Sequence, residues 1–124
     1  MSPAYKRPRL EHTEQAIFVS RVNVFYPGTL IFAVSNGGKR GKREASRLKD
    51  EGVLAGVSDL VLLEARGGFH GMVIEMKRSV GGRVSKEQIS FLDRARANGY
   101  LSIVAVGAEE AWVEFESYMS RDPT

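Results

Sequence analysis

Asp59, Glu75 and Lys77 stand in two apolar stretches, Gly-Val-Ser-Asp59-Leu-Val-Leu-Leu and Met-Val-Ile-Glu75-Met-Lys77, where uncharged side chains would be less costly to bury. Taking a carboxylate out of water costs several kcal/mol unless a cation or hydrogen bonds compensate. Two carboxylates and an ammonium from neighbouring strands suit a hard divalent cation, Mg²⁺ or Mn²⁺, held through oxygen with positions left for water and a phosphate oxygen. Such an ion acidifies water toward hydroxide near neutral pH and polarises a phosphate. Lys77 lies two residues beyond Glu75, on the same strand face, within reach of an attacking water or of charge developing at phosphorus. The Met76 side chain is expected in the core, with its backbone carbonyl available as a further ligand.

These groups need a hairpin to bring them together. Val57–Leu63 reads as a strand, Arg66-Gly67-Gly68-Phe69 as a turn and Met72–Lys77 as the returning strand. Alternation puts Val73, Glu75 and Lys77 on one face and Met72, Ile74 and Met76 on the other. A turn centred near residue 67 or 68 sets Asp59 opposite residues 75–77. Asp59 shares the Glu75 face if the loop has an odd number of residues.

The flanking sequence supplies helices and further strands. Leu10–Phe25 reads as a helix with Glu14, Phe18, Arg21 and Phe25 on one stripe, ended by Tyr26-Pro27-Gly28. Leu30–Val34 and Tyr100–Val106 read as short buried strands. Ser35-Asn36-Gly37-Gly38 is a turn signal before a basic helix from Lys39 to Glu51, closed by Gly52. Ser79–Arg83 is a loop. Ser85, three residues before Gln88, resembles a capping box opening a helix that runs to Asn98-Gly99. Residues 108–120 form a last amphipathic helix, whose Trp112, Phe115 and Met119 serve core packing or a subunit contact. The element order predicts an α/β fold: a mixed central sheet flanked by helices, in one domain over residues 10–120, preceded by a flexible basic arm over residues 1–9.

Composition narrows the partners. A chain of 124 residues with 43% hydrophobic content can build one core, and no apolar run approaches the about 18 residues a membrane helix needs. The lack of cysteine removes disulfides and thiolate metal sites. The net charge of +3 is unevenly spread: Lys39, Arg40, Lys42, Arg43, Arg47 and Lys49 crowd one stretch, Lys6, Arg7 and Arg9 another, and Glu109, Glu110, Glu114 and Glu116 gather near the C-terminus. Basic density beside a carboxylate site fits a polyanion that is held and cut; a solvated helix face is the plainer alternative. His12 and His70 are assigned no catalytic role.

Five blocks carry a resemblance: Glu11-His-Thr-Glu14-Gln15, Ser35-Asn36-Gly-Gly-Lys-Arg40, Glu51-Gly-Val-Leu-Ala-Gly-Val-Ser-Asp59, Gly71-Met-Val-Ile-Glu75-Met-Lys77-Arg78 and Val84-Ser-Lys-Glu-Gln88. The Asp…Glu-x-Lys core resembles the PD-(D/E)XK nuclease superfamily, and the blocks in register over residues 10–115 resemble VRR-NUC (virus-type replication-repair nuclease) domains of the small phage or prophage type. The resemblance implies a restriction-endonuclease-like fold and a metal-dependent DNA endonuclease, cytoplasmic in a bacterial host, with no organic cofactor and no membrane. It assigns Glu14, Asp59, Glu75 and the Met76 carbonyl to the metal, Lys77 to catalysis and Gln88 to orienting the site, with Glu11 an alternative to Glu14. Asn36, Lys39, Arg40, Lys42, Arg43 and Arg78 are the DNA-contact candidates, Asn36 being equally a turn residue. Branched DNA and resolvase-like cleavage are implied, and the small size of the chain points separately to a two-fold homodimer presenting two sites. The alternatives are a non-specific or flap-type nickase, a catalytically silent DNA-binding module of the same fold, or a structural phage protein assembling through its acidic C-terminal helix. Ser58 stands where the superfamily commonly has proline, which leaves the stiffness of that turn as the point of departure.

Overall fold

Burial of two apolar strands sets the centre of the molecule, and most of the other elements are arranged around it. A computed structural model describes residues 10–35, 41–78 and 82–124. The arm over residues 1–9 and the candidates Asn36, Lys39 and Arg40 lie outside the described residues. The elements are α1 (Glu11–Phe25), β1 (Ile31–Ala33), α2 (Lys42–Asp50), β2 (Leu60–Leu62), β3 (Met72–Lys77), α3 (Lys86–Ala97), β4 (Leu101–Val106) and α4 (Gly107–Met119). They form an α/β fold around a four-stranded mixed sheet of order β1-β2-β3-β4, antiparallel except for the parallel β3–β4 pair.

All six residues of β3 are buried, because helices cover both of its faces. Met72, Ile74 and Met76 join Leu60 and Leu62 in a core closed by Phe18 and Val22 of α1 and by Ala108, Ala111, Phe115 and Tyr118 of α4. On the opposite face α3 lies over Val73, Glu75 and Lys77, fastened to β4 where Ser102 Oγ donates to the Leu92 carbonyl at 2.8 Å. The β2–β3 register pairs Leu60 with Ile74 and Leu62 with Met72. One step further along, Asp59 stands opposite Glu75, on its face, as an odd loop requires.

Three expectations change. Leu30–Val34 and Tyr100–Val106 are not buried central strands: β1 and β4 are the two edges of the sheet, with Phe32 43% and Val106 42% exposed. A short apolar run looks the same in sequence at the centre or the edge of a sheet. On α1 the buried row is Phe18 and Val22, whereas Phe25 is 67% exposed, because the helix runs past the end of the core. Among the described residues, the basic helix α2 packs against no other helix or strand and buries no residue, so it does not flank the sheet.

Candidate active site

The site begins where the β2–β3 ladder stops. Past Leu60 the Met76 N–H is met by the Asp59 side chain, Oδ2 accepting at 2.8 Å. In an extended strand the N–H and C=O of one residue point to the same side, so the Met76 carbonyl is also directed toward Asp59. The turn before Asp59 is fixed by Ser58, fully buried, whose Oγ donates to the Leu60 carbonyl at 3.1 Å. A hydrogen bond thereby supplies the restraint that a proline ring would give.

Glu75 is 2% and Lys77 7% exposed. Glu75 Oε1 accepts from Gln88 Nε2 at 2.6 Å and lies 3.4 Å from Lys77 Nζ. Lys77 Nζ donates to Gln88 Oε1 at 3.1 Å. The same Gln88 closes the capping box of α3: its Oε1 accepts from Ser85 N at 2.8 Å, and its own N–H donates to Ser85 Oγ at 3.1 Å. The capping role and the site role of Gln88 are therefore one role. Its amide orientation is dictated, since reversal would set NH₂ against two donors and the carbonyl against a carboxylate.

Among the described residues, Glu75 Oε2 is a buried side-chain oxygen with no hydrogen-bond partner. Burial raises the Glu75 pKa to about 7, with the neighbouring Asp59 charge adding to the rise and Lys77 opposing it. Burial raises the Asp59 pKa as well, against the pull of the Met76 N–H; Lys77 lowers it and Glu11 raises it. Two desolvated carboxylates that repel each other, with one oxygen left over, call for a proton or a cation between them. Asp59, Glu75 and the Met76 carbonyl would suit a divalent ion as oxygen donors, with other positions open to water or substrate.

Glu14 is held at the start of α4, which follows directly on Val106, the register partner of Lys77. Glu14 Oε2 accepts the Ala108 N–H at 2.6 Å, at the N-terminus of α4, whose N-cap Val106 has no capping side chain. A carboxylate there satisfies an orphan donor and complements the helix dipole. Among the described residues no group of three or more acids or histidines is assembled to hold a metal. Of the two α1 acids, Glu11 is the one whose charge is felt by Asp59. Glu14→Ala is expected to lower stability by about 1 kcal/mol, the usual worth of a cap. Glu11→Ala should leave the melting temperature nearly unchanged and slow cleavage, so thermal melts and nicking rates of the two variants separate the roles.

Lys42 and Arg43 of α2, and Arg78 just past β3, are exposed. Sequence reading missed Gly56, whose backbone lies against the first turn of α3; its signal was a glycine inside the Asp59 block.

Were a divalent ion held by Glu75, ionisation of that carboxyl would be linked to its loading. With Glu75 titrating at about 7, a proton must leave before an ion enters, so apparent Mn²⁺ affinity should rise roughly tenfold per pH unit below that value and level off above it. Calorimetric titration at several pH values checks this; a flat profile would contradict it.

Comparison with known proteins follows the same line. A sequence model described as "VRR-NUC domain" matches residues 12–109. A solved structure described as "VRR_NUC domain protein" superposes with a TM-score of 0.82 at 24% identity, covering 95% of this chain and 94% of that one, a likeness of fold. Comparison with curated proteins yields no match.

Proposed function

The chain belongs to the VRR-NUC domain family, a nuclease family of the PD-(D/E)XK type, and from that premise we propose that it is a divalent-metal-dependent DNA endonuclease. The observation that carries this reading is the set Asp59, Glu75, Lys77 and Gln88, with Glu75 Oε2 accepting no hydrogen bond among the described residues. Asp59, Glu75 and the Met76 carbonyl would hold Mg²⁺ or Mn²⁺, with Glu11 adding negative charge from α1. When bound, the ion supplies Lewis acidity to the scissile phosphate and to water.

The chain's own groups do the positioning. Gln88 fixes Glu75 Oε1 through its amide N–H and fixes Lys77 through its carbonyl. The Lys77 ammonium has three donors, two of them directed at Glu75 and Gln88; the third is free to donate to the attacking water or a non-bridging phosphate oxygen. Charge then developing on the phosphorane meets a preorganised cation in a site of low dielectric. Water attacks phosphorus in line and gives up a proton to solvent, the P–O bond to the departing strand end breaks, and the departing oxygen takes up a proton from solvent.

For substrate, branched DNA cut in a resolvase-like manner follows the family by analogy. A small domain cutting two strands symmetrically does so most simply as a two-fold dimer. The exposed Leu30, Phe32 and Leu63 beside the free edge of the sheet offer an apolar surface for it. The exposed cations of α2, standing clear of the body, suit phosphate tracking and a steep salt dependence.

The experiment is cleavage of a four-way junction, a flap, a linear duplex and a single strand in parallel, with Mg²⁺, Mn²⁺ or EDTA. Paired symmetric incisions on the junction are expected, lost in EDTA and reduced about 1,000-fold in Lys77→Ala, on the scale of losing a group that stabilises developing charge. Equal behaviour of Lys77→Ala and wild type would instead indicate a DNA-binding module without catalysis. Random nicking of all four substrates would remove the junction preference and leave the nuclease.

A further inference from the structure

On the Glu75 face of the sheet, α3 covers only part of the surface. Among the described residues it packs on β3 and β4 and on neither β1 nor β2. Val61, the register partner of Val73, is therefore left lining a groove of about 540 Å³, within the about 300–1,000 Å³ of clefts that seat organic ligands. Phe91, Arg94 and Asn98, spaced at three and four residues along α3, form one wall. Leu54 and Leu63, each 44% exposed, also line it. His70 and Tyr100 precede β3 and β4, so they stand at the end away from Lys77, with ring centroids 5.8 Å apart at 63°. The His70 ring is fixed there, because Gly99 (φ +90) brings its backbone so close that a Cβ would stand 2.6 Å from it.

Charge and continuity narrow what the groove can hold. Among the described residues, Arg94 is the one formally charged group of the lining, and its guanidinium makes no ion pair. Asp93, the acid beside it on α3, is taken by Arg96 at 2.9 Å. A second hollow continues the groove along α3, sharing Leu54, Phe91 and Arg94 with the first and adding Lys86 and Glu87. A third shares Leu54 and Glu87 with the second and reaches Gln88, which holds Glu75 and Lys77. The furrow thus leads from the aromatic end to the candidate active site, with Lys86 offsetting Glu87 and Arg94 in excess.

We propose that this groove receives an unpaired nucleobase of the DNA strand lying across the candidate active site, the base seated against Phe91 and Tyr100 and an adjoining phosphate meeting Arg94. The proposal rests on the nuclease reading, because the strand it places is the substrate. Every base has a π-face, so seating against aromatic side chains tolerates any sequence. Asn98, whose Nδ2 donates to the Arg94 carbonyl at 2.8 Å, keeps its Oδ1 for the polar edge of a base. A base inside a duplex is stacked and paired and cannot enter such a recess without leaving the helix. The groove therefore favours DNA with unpaired nucleotides beside the cut over intact duplex. An acidic protein segment would also satisfy Arg94, but it gains nothing from a furrow that ends at Gln88, whereas a strand gains a fixed path to Glu75 and Lys77.

Binding in EDTA tests this with cleavage removed from the readout. The full-length protein is titrated, with fluorescence anisotropy as the signal, into a duplex carrying a single-stranded tail, the same molecule with abasic spacers in the tail, and a blunt duplex. The tailed duplex is expected to bind about tenfold more tightly than either control, on the scale of a base stacked on an aromatic side chain. Arg94→Ala and Leu54→Glu, both at exposed positions, should each weaken the tailed duplex at least fivefold with the melting temperature unchanged. Equal affinity for the three DNAs would overturn the proposal, and so would unchanged affinity in both variants. An acidic peptide that binds wild type, is lost in both variants and is not displaced by the tailed duplex would assign the groove to a protein partner instead. A doubled mass of the DNA-free protein, abolished by Leu54→Glu, would assign it to a second copy. Cleavage in Mn²⁺ is scored separately: the tenfold preference without any cleavage would uphold the groove as a base site and remove the nuclease reading, whereas cleavage with three equal affinities would do the reverse.

Discussion

Replacing Glu75 by glutamine is expected to abolish cleavage, by 1,000-fold or more on the usual scale for losing a group central to the chemistry, while leaving the metal-free protein folded and, above neutral pH, more stable. The reason lies in what the buried carboxyl becomes without a cation. Its pKa is raised from 4.5 to about 7 by burial first and by Asp59 second, so near neutrality it is partly protonated, and glutamine copies that neutral form. The new amide oxygen can still accept from Gln88 Nε2, and its NH₂ takes the place of the partnerless Oε2, turned to the acidic side of the site. The sign of the pH effect follows by linkage. The folded wild type binds more protons than the unfolded chain between pH 4.5 and about 7, so its metal-free stability falls as pH rises through that window. Denaturant melts in EDTA at pH 5 and pH 8 should show a loss for wild type and a smaller one for Glu75→Gln. Cleavage retained in the variant would show that the oxygen lost is not part of the site.

Gly56→Ala is expected to damage both stability and activity although it touches neither metal nor substrate. Gly56 has φ +86, and a Cβ there would overlap the Glu87 carbonyl and stand 2.7 Å from the Gln88 backbone nitrogen. The left-handed backbone alone costs an alanine about 1–2 kcal/mol, and pressing backbone against backbone adds about 1–3 kcal/mol. The segment that yields is the first turn of α3, which carries Ser85, Gln88 and through them Lys77 and Glu75. Cleavage should fall by more than stability alone explains, because Gln88 must hold both charged groups in one geometry. Thermal unfolding and cleavage measured well below the melting temperature separate the two effects; wild-type behaviour in both would show that the loop and α3 are not packed as described.

Much of this arrangement is legible in the chain before any coordinates. Strand β3 and its alternation, with Glu75 and Lys77 on one face, are readable in the sequence, whereas the odd loop that sets Asp59 opposite Glu75 is supplied by the structure. The spacing of Ser85 and Gln88 announces the start of α3 because both capping hydrogen bonds are local. What is not legible depends on contacts between distant segments. Glu11 and Glu14 share a helix three residues apart, and only the bare N-terminus of α4 decides which of them is taken up by Ala108. The edge positions of β1 and β4 follow from which helices cover the sheet, and the exposure of Phe25 from where the core ends under α1. Gly56 reads as an ordinary turn glycine until α3 is laid against it.

The claim on which the account rests is that Asp59 and Glu75 grip a divalent cation beside the Lys77 ammonium. Anomalous diffraction from crystals soaked in Mn²⁺ at pH 8 tests it most directly. A strong peak is expected between the Asp59 carboxylate and Glu75 Oε2, adjoining the Met76 carbonyl, and its disappearance in Glu75→Gln. No peak there, or manganese bound instead at the exposed glutamates of α4, would contradict it.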